Sequence, residues 1–115
     1  MLKYYFHVVA LTGCYYSMSA IKLLDELKIK YTVQYVDEHN KEKFKLENYF
    51  TFPQIFLRKY NSVESLFFGG YSDLENLINT FKNKKYNQTD IDKFRGKYKQ
   101  LSKIAVLKLI LLITK

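Results

Sequence analysis

Cys14 is the only cysteine among 115 residues and therefore the only possible thiol nucleophile of the chain. A thiol reacts as its thiolate, and the unpaired amides and the dipole at a helix N-terminus favour that anion. Tyr16 and Ser17 would supply such amides if a helix begins beside the cysteine. The alternative is an inert cysteine in the core, because free cysteine is among the most buried residue types.

The two histidines offer Cys14 no obvious help. His7 and His39 are both distant from it in sequence, which disfavours a Cys–His nucleophile pair. A single cysteine also excludes an intramolecular disulfide and a structural zinc site of the usual spacing. A lone cysteine is typical of a reducing compartment, and residues 1–10 lack the basic leader and the cleavage site of an export signal. We therefore expect a cytoplasmic protein.

Two patterns in the sequence predict the elements on either side of Cys14. Residues 4–10 are rich in β-branched and aromatic side chains and stop at Thr12-Gly13, which predicts a strand followed by a turn. A helical stripe begins after Tyr16, with apolar residues at Ala20, Leu23, Leu24 and Leu27. The sequence thus predicts that Cys14 lies in a strand-to-helix turn.

Further elements predict a mixed sheet. We expect strands at residues 31–36, 53–57 and 66–68, and a short helix at residues 40–50. Gly69-Gly70 ends the last strand, and the capping-box pattern Ser72-Asp73-Leu74-Glu75 predicts another helix, which runs to Phe81. The order β-α-β-α-β-β-α joins a parallel βαβ unit to an antiparallel hairpin. This order indicates an α/β fold with a four-stranded mixed sheet and flanking helices.

The charged residues behind the net charge of +8 are distributed unevenly along the chain. Residues 1–81 contain nine Lys or Arg and nine Asp or Glu, whereas residues 82–115 contain ten Lys or Arg and only two Asp. We predict one domain at 1–81 and a tail at 82–115. The tail would hold a basic linker, residues 82–88, and a helix from Thr89 onward.

The tail helix becomes nearly all apolar at residues 104–113, a run too short for the roughly 20 residues that span a bilayer. An exposed apolar patch of this kind is rare in soluble monomers, so the helix should pack on the domain or on a second copy of the chain. A homodimer is the explanation that we favour. Contact of the basic tail with nucleic acid or with an anionic membrane is the less favoured alternative.

Three segments in order resemble the glutaredoxin family. Cys14-Tyr15-Tyr16-Ser17 is similar to its C-x-x-S motif, Thr51-Phe52-Pro53 to its T-V-P motif, and Gly69-Gly70-Tyr71-Ser72-Asp73 to its G-G-x-x-D motif. Each stands on the expected element, and the resemblance covers about residues 3–81. It implies a thioredoxin-like fold for this part, followed by the helical tail.

The resemblance also implies a glutathione site. Pro53 would be cis, and the backbone of Phe52 would pair with the cysteinyl part of glutathione. Gly69 and Gly70 would allow close approach of the backbone. Asp73 and nearby amides would bind the γ-glutamyl end, although Ser72 and Asp73 could equally cap the helix. The glutathione-binding residues implied in this way are Tyr16, Ser17, Thr51, Phe52, Pro53, Gly69, Gly70, Ser72 and Asp73.

Ser17 stands where dithiol relatives have a second cysteine, so the resemblance implies a monothiol mechanism. Cys14 would take glutathione from a glutathionylated protein, and a second glutathione would release it. Two alternatives remain open. Single-cysteine relatives can hold a [2Fe–2S] cluster between two subunits, with Cys14 and glutathione as ligands. The chain could also be a binding module that kept the fold and lost useful catalysis.

The chain departs from the family at positions that usually hold basic residues. Leu11 replaces a lysine three residues before the cysteine, and Phe50 replaces a basic residue before the T-V-P motif. Tyr15 replaces a proline and places a bulky ring beside the thiol. The glycine carboxylate of glutathione would therefore lose its usual anchors. Side chains that could substitute electrostatically are those of Lys41, Lys43, Lys45 and Arg58.

Overall fold

A single four-stranded sheet forms the centre of the computed structural model, which describes residues 3–82 and 85–114. The strand order is β2-β1-β3-β4. The central strand β1 pairs in parallel with β2 and antiparallel with β3, and β3 pairs antiparallel with β4. The strands are β1 (Tyr4–Leu11), β2 (Tyr31–Val36), β3 (Gln54–Lys59) and β4 (Ser65–Gly69). The predicted mixed sheet is thus confirmed.

Among the described residues, four α-helices flank this sheet. They are α1 (Tyr15–Glu26), α2 (Tyr71–Phe81), α3 (Gln88–Lys97) and α4 (Lys103–Thr114). Of the predicted stripe of α1, Ala20 and Leu24 are buried in the main core, Leu23 and Leu27 pack against it partly buried, and Ile21 is buried as well. None of the helices within the described ranges is long and apolar enough to cross a membrane.

The alternation of side chains along β1 separates two apolar clusters. Phe6, Val8 and Ala10 point into the main core, where the α-helices pack. Val9 points to the opposite face and packs with Val36 and Phe52 in a smaller cluster. The second cluster lies at the Cys14 end of the sheet, because β1 ends shortly before Cys14 and Phe52 directly precedes Pro53.

The predicted helix at residues 40–50 was wrong. Only Lys41–Phe44 forms a 3₁₀ turn, and the chain then closes a small turn through a bridge between Leu46 and Tyr49. None of the residues in the 3₁₀ turn is buried. A short helix in water depends on tertiary packing of an apolar face, whereas here Phe44 alone of the turn residues packs on the smaller apolar cluster, where it is partly buried.

The predicted single tail helix is interrupted. Helix α3 ends at Lys97, and α4 begins at Lys103. The Ser102 hydroxyl accepts a hydrogen bond from the amide of Ala105 over 3.1 Å, so a serine caps the first turn of α4. The predicted linker, residues 82–88, includes positions 83 and 84, which lie outside the described residues.

The two tail helices share the main core with the sheet. The tail residues in this core are Ile91, Phe94, Tyr98, Leu101, Ala105, Val106, Leu109, Ile110, Leu112 and Ile113. Most of the apolar run that suggested a dimer is therefore covered within one chain, and Ile104, Leu107 and Leu111 remain exposed. The domain boundary at residue 81 and the homodimer stay predictions.

Candidate active site

Cys14 is the N-cap residue of α1, at the predicted strand-to-helix turn. Its amide donates to the carbonyl oxygen of Leu11 over 3.0 Å, which closes the turn after β1. Gly13 has a φ of +80°, a left-handed conformation that glycine adopts without a steric penalty. The turn therefore places the thiol at the amino end of α1, where the first-turn amides and the helix dipole favour an anion.

The thiol faces the loop that precedes β3. Cys14 is partly buried, and its Sγ lies 3.8 Å from the carbonyl oxygen of Phe52. The peptide bond between Phe52 and Pro53 is cis, as the resemblance implies. Two of the three motifs, separated by almost 40 residues of sequence, thus meet at the same point.

An open groove of about 340 Å³ lies in this region. Five of the residues predicted to bind glutathione line it, namely Tyr16, Thr51, Phe52, Pro53 and Ser72. Tyr49 and Tyr71 complete the wall. The groove therefore joins the start of α1, the cis-proline loop and the start of α2.

Tyr49 and Tyr71 are groove residues that sequence reasoning missed. Tyrosine is abundant throughout this chain, so its type alone carried no signal. Their positions in the sequence were the available signal, because Tyr71 lies inside the third motif and Tyr49 lies two residues before Thr51. The ring of Tyr71 lies 6.1 Å from that of Tyr16, which in turn lies 5.4 Å from that of Tyr15. Aromatic rings thus border the site.

Ser17 does not present its hydroxyl to the groove. Its side chain is fully buried, and its Oγ accepts a hydrogen bond from the amide of Leu11 over 3.0 Å. This bond ties the first turn of α1 to the end of β1. Among the atoms of Ser17, only the backbone could contact a ligand, and the hydroxyl has a structural role.

Replacing Ser17 with alanine should lower stability and leave thiol exchange intact. Loss of the hydroxyl leaves the partly buried Leu11 amide without its partner, which costs about 1–2 kcal/mol. Urea unfolding checks the stability, with the partly exposed Ser19→Ala as the matched control on the same helix. A loss of exchange activity at unchanged stability would show that the Ser17 hydroxyl acts in the chemistry.

Neighbouring side chains occupy the space that a Cβ would need at either glycine of the third motif. A Cβ at Gly69 would overlap the carboxylate of Asp73, and a Cβ at Gly70 would overlap the hydroxyl of Tyr49. Asp73 Oδ2 accepts a hydrogen bond from the Gly70 amide over 2.8 Å. The glycines thus let Asp73 and Tyr49 pack directly against the backbone at the start of α2.

Asp73, rather than Ser72, caps α2. The sequence pattern suggested a box that starts at Ser72, but Gly70 is the N-cap residue and Tyr71 begins the helix. Asp73 is therefore the third helical residue, which is the position from which a carboxylate reaches back to the N-cap amide. Ser72 is exposed in the first turn and faces the groove.

Replacing Gly69 with alanine should destabilise the protein and displace Asp73. The added methyl has no room beside the carboxylate, so we expect a loss of about 1–3 kcal/mol. Gly96→Ala is the matched control. A Cβ there meets no heavy atom of the described residues within 4 Å, so this helical substitution should stabilise the protein by about 0.5–1 kcal/mol. Thermal unfolding of both variants checks the pair, and equal shifts would contradict the steric argument.

Among the residues that the structure describes, no Lys or Arg lines this groove. Of the suggested substitutes, Lys41 pairs with Glu38 over 2.7 Å and Lys45 pairs with Glu42 over 2.9 Å. The bond to Glu38 raises the pKa of Lys41. Arg58 donates to the hydroxyl of Ser65 over 3.1 Å at the far end of β3, and Lys43 is exposed in the 3₁₀ turn. A carboxylate ligand would therefore meet tyrosines and backbone amides in the groove.

His7 lies apart from the thiol, which follows the end of β1. His7 is in the middle of β1, where its Nδ1 lies 2.7 Å from the hydroxyl of Thr32. Burial and the nearby Arg58 guanidinium lower the pKa of His7. Within residues 3–82 and 85–114, no three His, Cys, Asp or Glu side chains come together as a metal site would need. A cluster shared between two subunits would draw one cysteine from each, so the [2Fe–2S] alternative stays a prediction.

Comparison with known families agrees with the motifs and the fold. Residues 4–59 match the Glutaredoxin family model, a segment that runs from β1 to β3 and includes Cys14 and Pro53. No curated protein sequence matches the chain. Proteins of this family are in general thiol oxidoreductases that use glutathione. Residues 4–59 are therefore a glutaredoxin domain with a thioredoxin-like fold, in a variant that has Cys14 as its single cysteine.

Proposed function

We propose that the protein is a glutathione-dependent oxidoreductase that removes glutathione from protein mixed disulfides through Cys14. The observation that carries this proposal is the placement of the thiol. Cys14 lies at the amino end of α1, and its Sγ is 3.8 Å from the Phe52 carbonyl beside the cis proline. An open groove in the same region is lined by Tyr16 of the first motif, by all three residues of the second, and by Tyr71 and Ser72 of the third.

In the first step, the Cys14 thiolate attacks the glutathione sulfur of a protein–glutathione disulfide. A new disulfide forms between Cys14 and glutathione, and the old disulfide breaks. The leaving protein sulfur takes the bonding electron pair and is protonated as a thiol. The amino end of α1 favours the thiolate before attack, because helix dipole and amides favour negative charge there.

In the second step, the thiolate of a second glutathione attacks the glutathione sulfur bound to Cys14. Glutathione disulfide forms, and Cys14 leaves as the thiolate with which the cycle began. Over the cycle, the mixed disulfide and one free glutathione become a protein thiol and glutathione disulfide, so one disulfide bond replaces another and no further oxidant or reductant is needed. Ser17 cannot resolve the intermediate, because its position carries a buried hydroxyl in place of a thiol. The mechanism is therefore monothiol.

Backbone and polar groups would hold the glutathione half of the substrate. The backbone of Phe52 before the cis proline offers strand-like pairing to the cysteinyl part. The first-turn amides of α2 suit the γ-glutamyl carboxylate, and Asp73 suits its ammonium. Because the groove lining has no cationic side chain, the glycine carboxylate gains no ion pair there. We expect weaker affinity for free glutathione than basic anchors would give.

Trapping of the intermediate tests the proposal. The protein is incubated with a glutathionylated peptide, without free glutathione, and its mass is measured intact. We expect one glutathione on Cys14 together with release of the free peptide thiol. An unmodified Cys14, or transfer of the peptide in place of glutathione, would contradict this mechanism. A chemistry that depends on a free thiol suits a reducing compartment, which we propose is the cytoplasm.

The lack of cationic side chains in the groove favours one other function, that of a binding module without useful catalysis. Isothermal titration with glutathione separates the two. Measurable binding of glutathione supports the oxidoreductase. An absence of both binding and adduct formation supports the alternative, a binding module whose ligand is another protein.

A further inference from the structure

One side chain of the C-terminal helices reaches the predicted glutathione site. Tyr98 directly follows α3, is only 5% exposed, and packs its ring 4.5 Å from that of Phe94 and 5.6 Å from that of Phe68. Its hydroxyl donates a hydrogen bond to Oδ1 of Asp73 over 2.8 Å. The tail therefore contacts the carboxylate of Asp73, which lies in the first turn of α2.

The direction of this hydrogen bond is set by the carboxylate, which only accepts, so the Tyr98 hydroxyl donates. The hydroxyl oxygen also accepts a hydrogen bond from the side-chain amide of Asn76 over 3.3 Å. Asn76 therefore helps to hold the hydroxyl beside Asp73. Burial raises the pKa of Tyr98 to about 12, so the hydroxyl remains a donor at neutral pH.

Two donors from different elements thus fix the Asp73 carboxylate. The Gly70 amide holds Oδ2, and the Tyr98 hydroxyl holds Oδ1. Each carboxylate oxygen can accept a second hydrogen bond, so both remain able to receive a ligand donor. Asp73 is partly exposed beside Ser72, which lines the groove. A fixed and accessible carboxylate at this place suits a cationic group.

We propose that Tyr98 is a positioning residue for substrate recognition, which orients Asp73 toward the ammonium of the γ-glutamyl group. This inference rests on the proposed function of Cys14. It gives the C-terminal helices a part in the site, although they lie outside the segment that matches the family. Because folding already orders the carboxylate, ligand binding does not lose conformational entropy for it.

A change of Tyr98 to phenylalanine keeps the buried ring and removes the hydroxyl. Oδ1 then lacks its donor, and the carboxylate is free to turn away from the ligand. We expect KM for a peptide–glutathione disulfide to rise about 3- to 10-fold. The value of kcat should stay within about twofold, because the surroundings of Cys14 are unchanged. Tyr60→Phe at the far end of β3 removes an exposed hydroxyl and should change neither constant.

The decisive comparison uses the same disulfide with its γ-glutamyl amine acetylated. This substrate has no ammonium, so wild type and Tyr98→Phe should turn it over with equal KM. Asp73→Asn should raise KM for the unmodified substrate, and Tyr98→Phe should add nothing in that background. Urea unfolding of each variant accompanies the kinetics.

Three results with the variants would overturn the inference, in addition to the wild-type result given last. They are an unchanged KM for the unmodified substrate, an equal rise in KM for both substrates, and a full additional effect of Tyr98→Phe in the Asp73→Asn background. The last two would mean that Tyr98 acts on folding alone. If wild type turns over neither substrate, the proposed function itself fails. A wild type that uses both substrates with the same KM overturns only the role of Asp73 and Tyr98.

Discussion

Replacing Cys14 with serine is expected to abolish the exchange of glutathione with a mixed disulfide. The hydroxyl of serine is not ionised near neutral pH and cannot form the disulfide intermediate. Because the chain has no other cysteine, no second thiol can take over the reaction. We expect the rate to fall by at least about 1000-fold, to the level of the uncatalysed exchange.

The fold of this variant should be unchanged. Cys14 is only partly buried, and the one polar contact of its Sγ is the long approach to the Phe52 carbonyl at 3.8 Å. A serine fits the N-cap position well, so we expect equal or slightly greater stability. Release of peptide thiol measures the exchange, and urea unfolding measures the stability. Wild-type activity in a folded Cys14→Ser protein would exclude the thiol mechanism altogether.

The elements with strong periodicity could be predicted from the sequence. The β-branched and aromatic residues of β1, the turn signal after them and the apolar stripe of α1 predicted the turn that holds Cys14, because each pattern reflects local geometry and burial. The place where β3 begins was predicted from Pro53. The cis peptide bond before Pro53 was implied by the family resemblance alone.

Contacts that depend on distant residues could not be predicted in this way. The segment at 40–50 looked helical, yet only Lys41–Phe44 forms a 3₁₀ turn, and nothing in its own sequence reveals that Phe44 and Tyr49 pack on separate partners elsewhere in the fold. The hydrogen bond from Tyr98 to Asp73 joins positions 25 residues apart, one directly after α3 and the other in the first turn of α2. No periodic pattern encodes such a pair, and Tyr98 fell within the predicted tail helix without a role of its own. Residues 82–115 were therefore predicted to be a tail with no part in the site, although Tyr98 contacts Asp73.

Replacing Leu109 with alanine is expected to destabilise the whole protein by about 2–5 kcal/mol. Leu109 is fully buried in the main core, where tail residues pack with strands β1, β3 and β4. Removal of its side chain deletes apolar contacts and leaves a cavity that neighbouring strands and helices can fill only in part. A loss of this size is a large fraction of the stability of an ordinary domain.

Leu107→Ala is the matched control for this prediction, because Leu107 lies on the same helix with 44% of its surface exposed. We expect this change to cost at most about 0.5–1 kcal/mol. Urea unfolding followed by far-ultraviolet circular dichroism should give one transition in each variant, shifted much more by Leu109→Ala. Two transitions, with only the smaller one shifted, would show that residues 1–81 fold without the tail. A single shifted transition would instead mean that the glutaredoxin domain and the helices bearing Tyr98 unfold together, as their shared core requires.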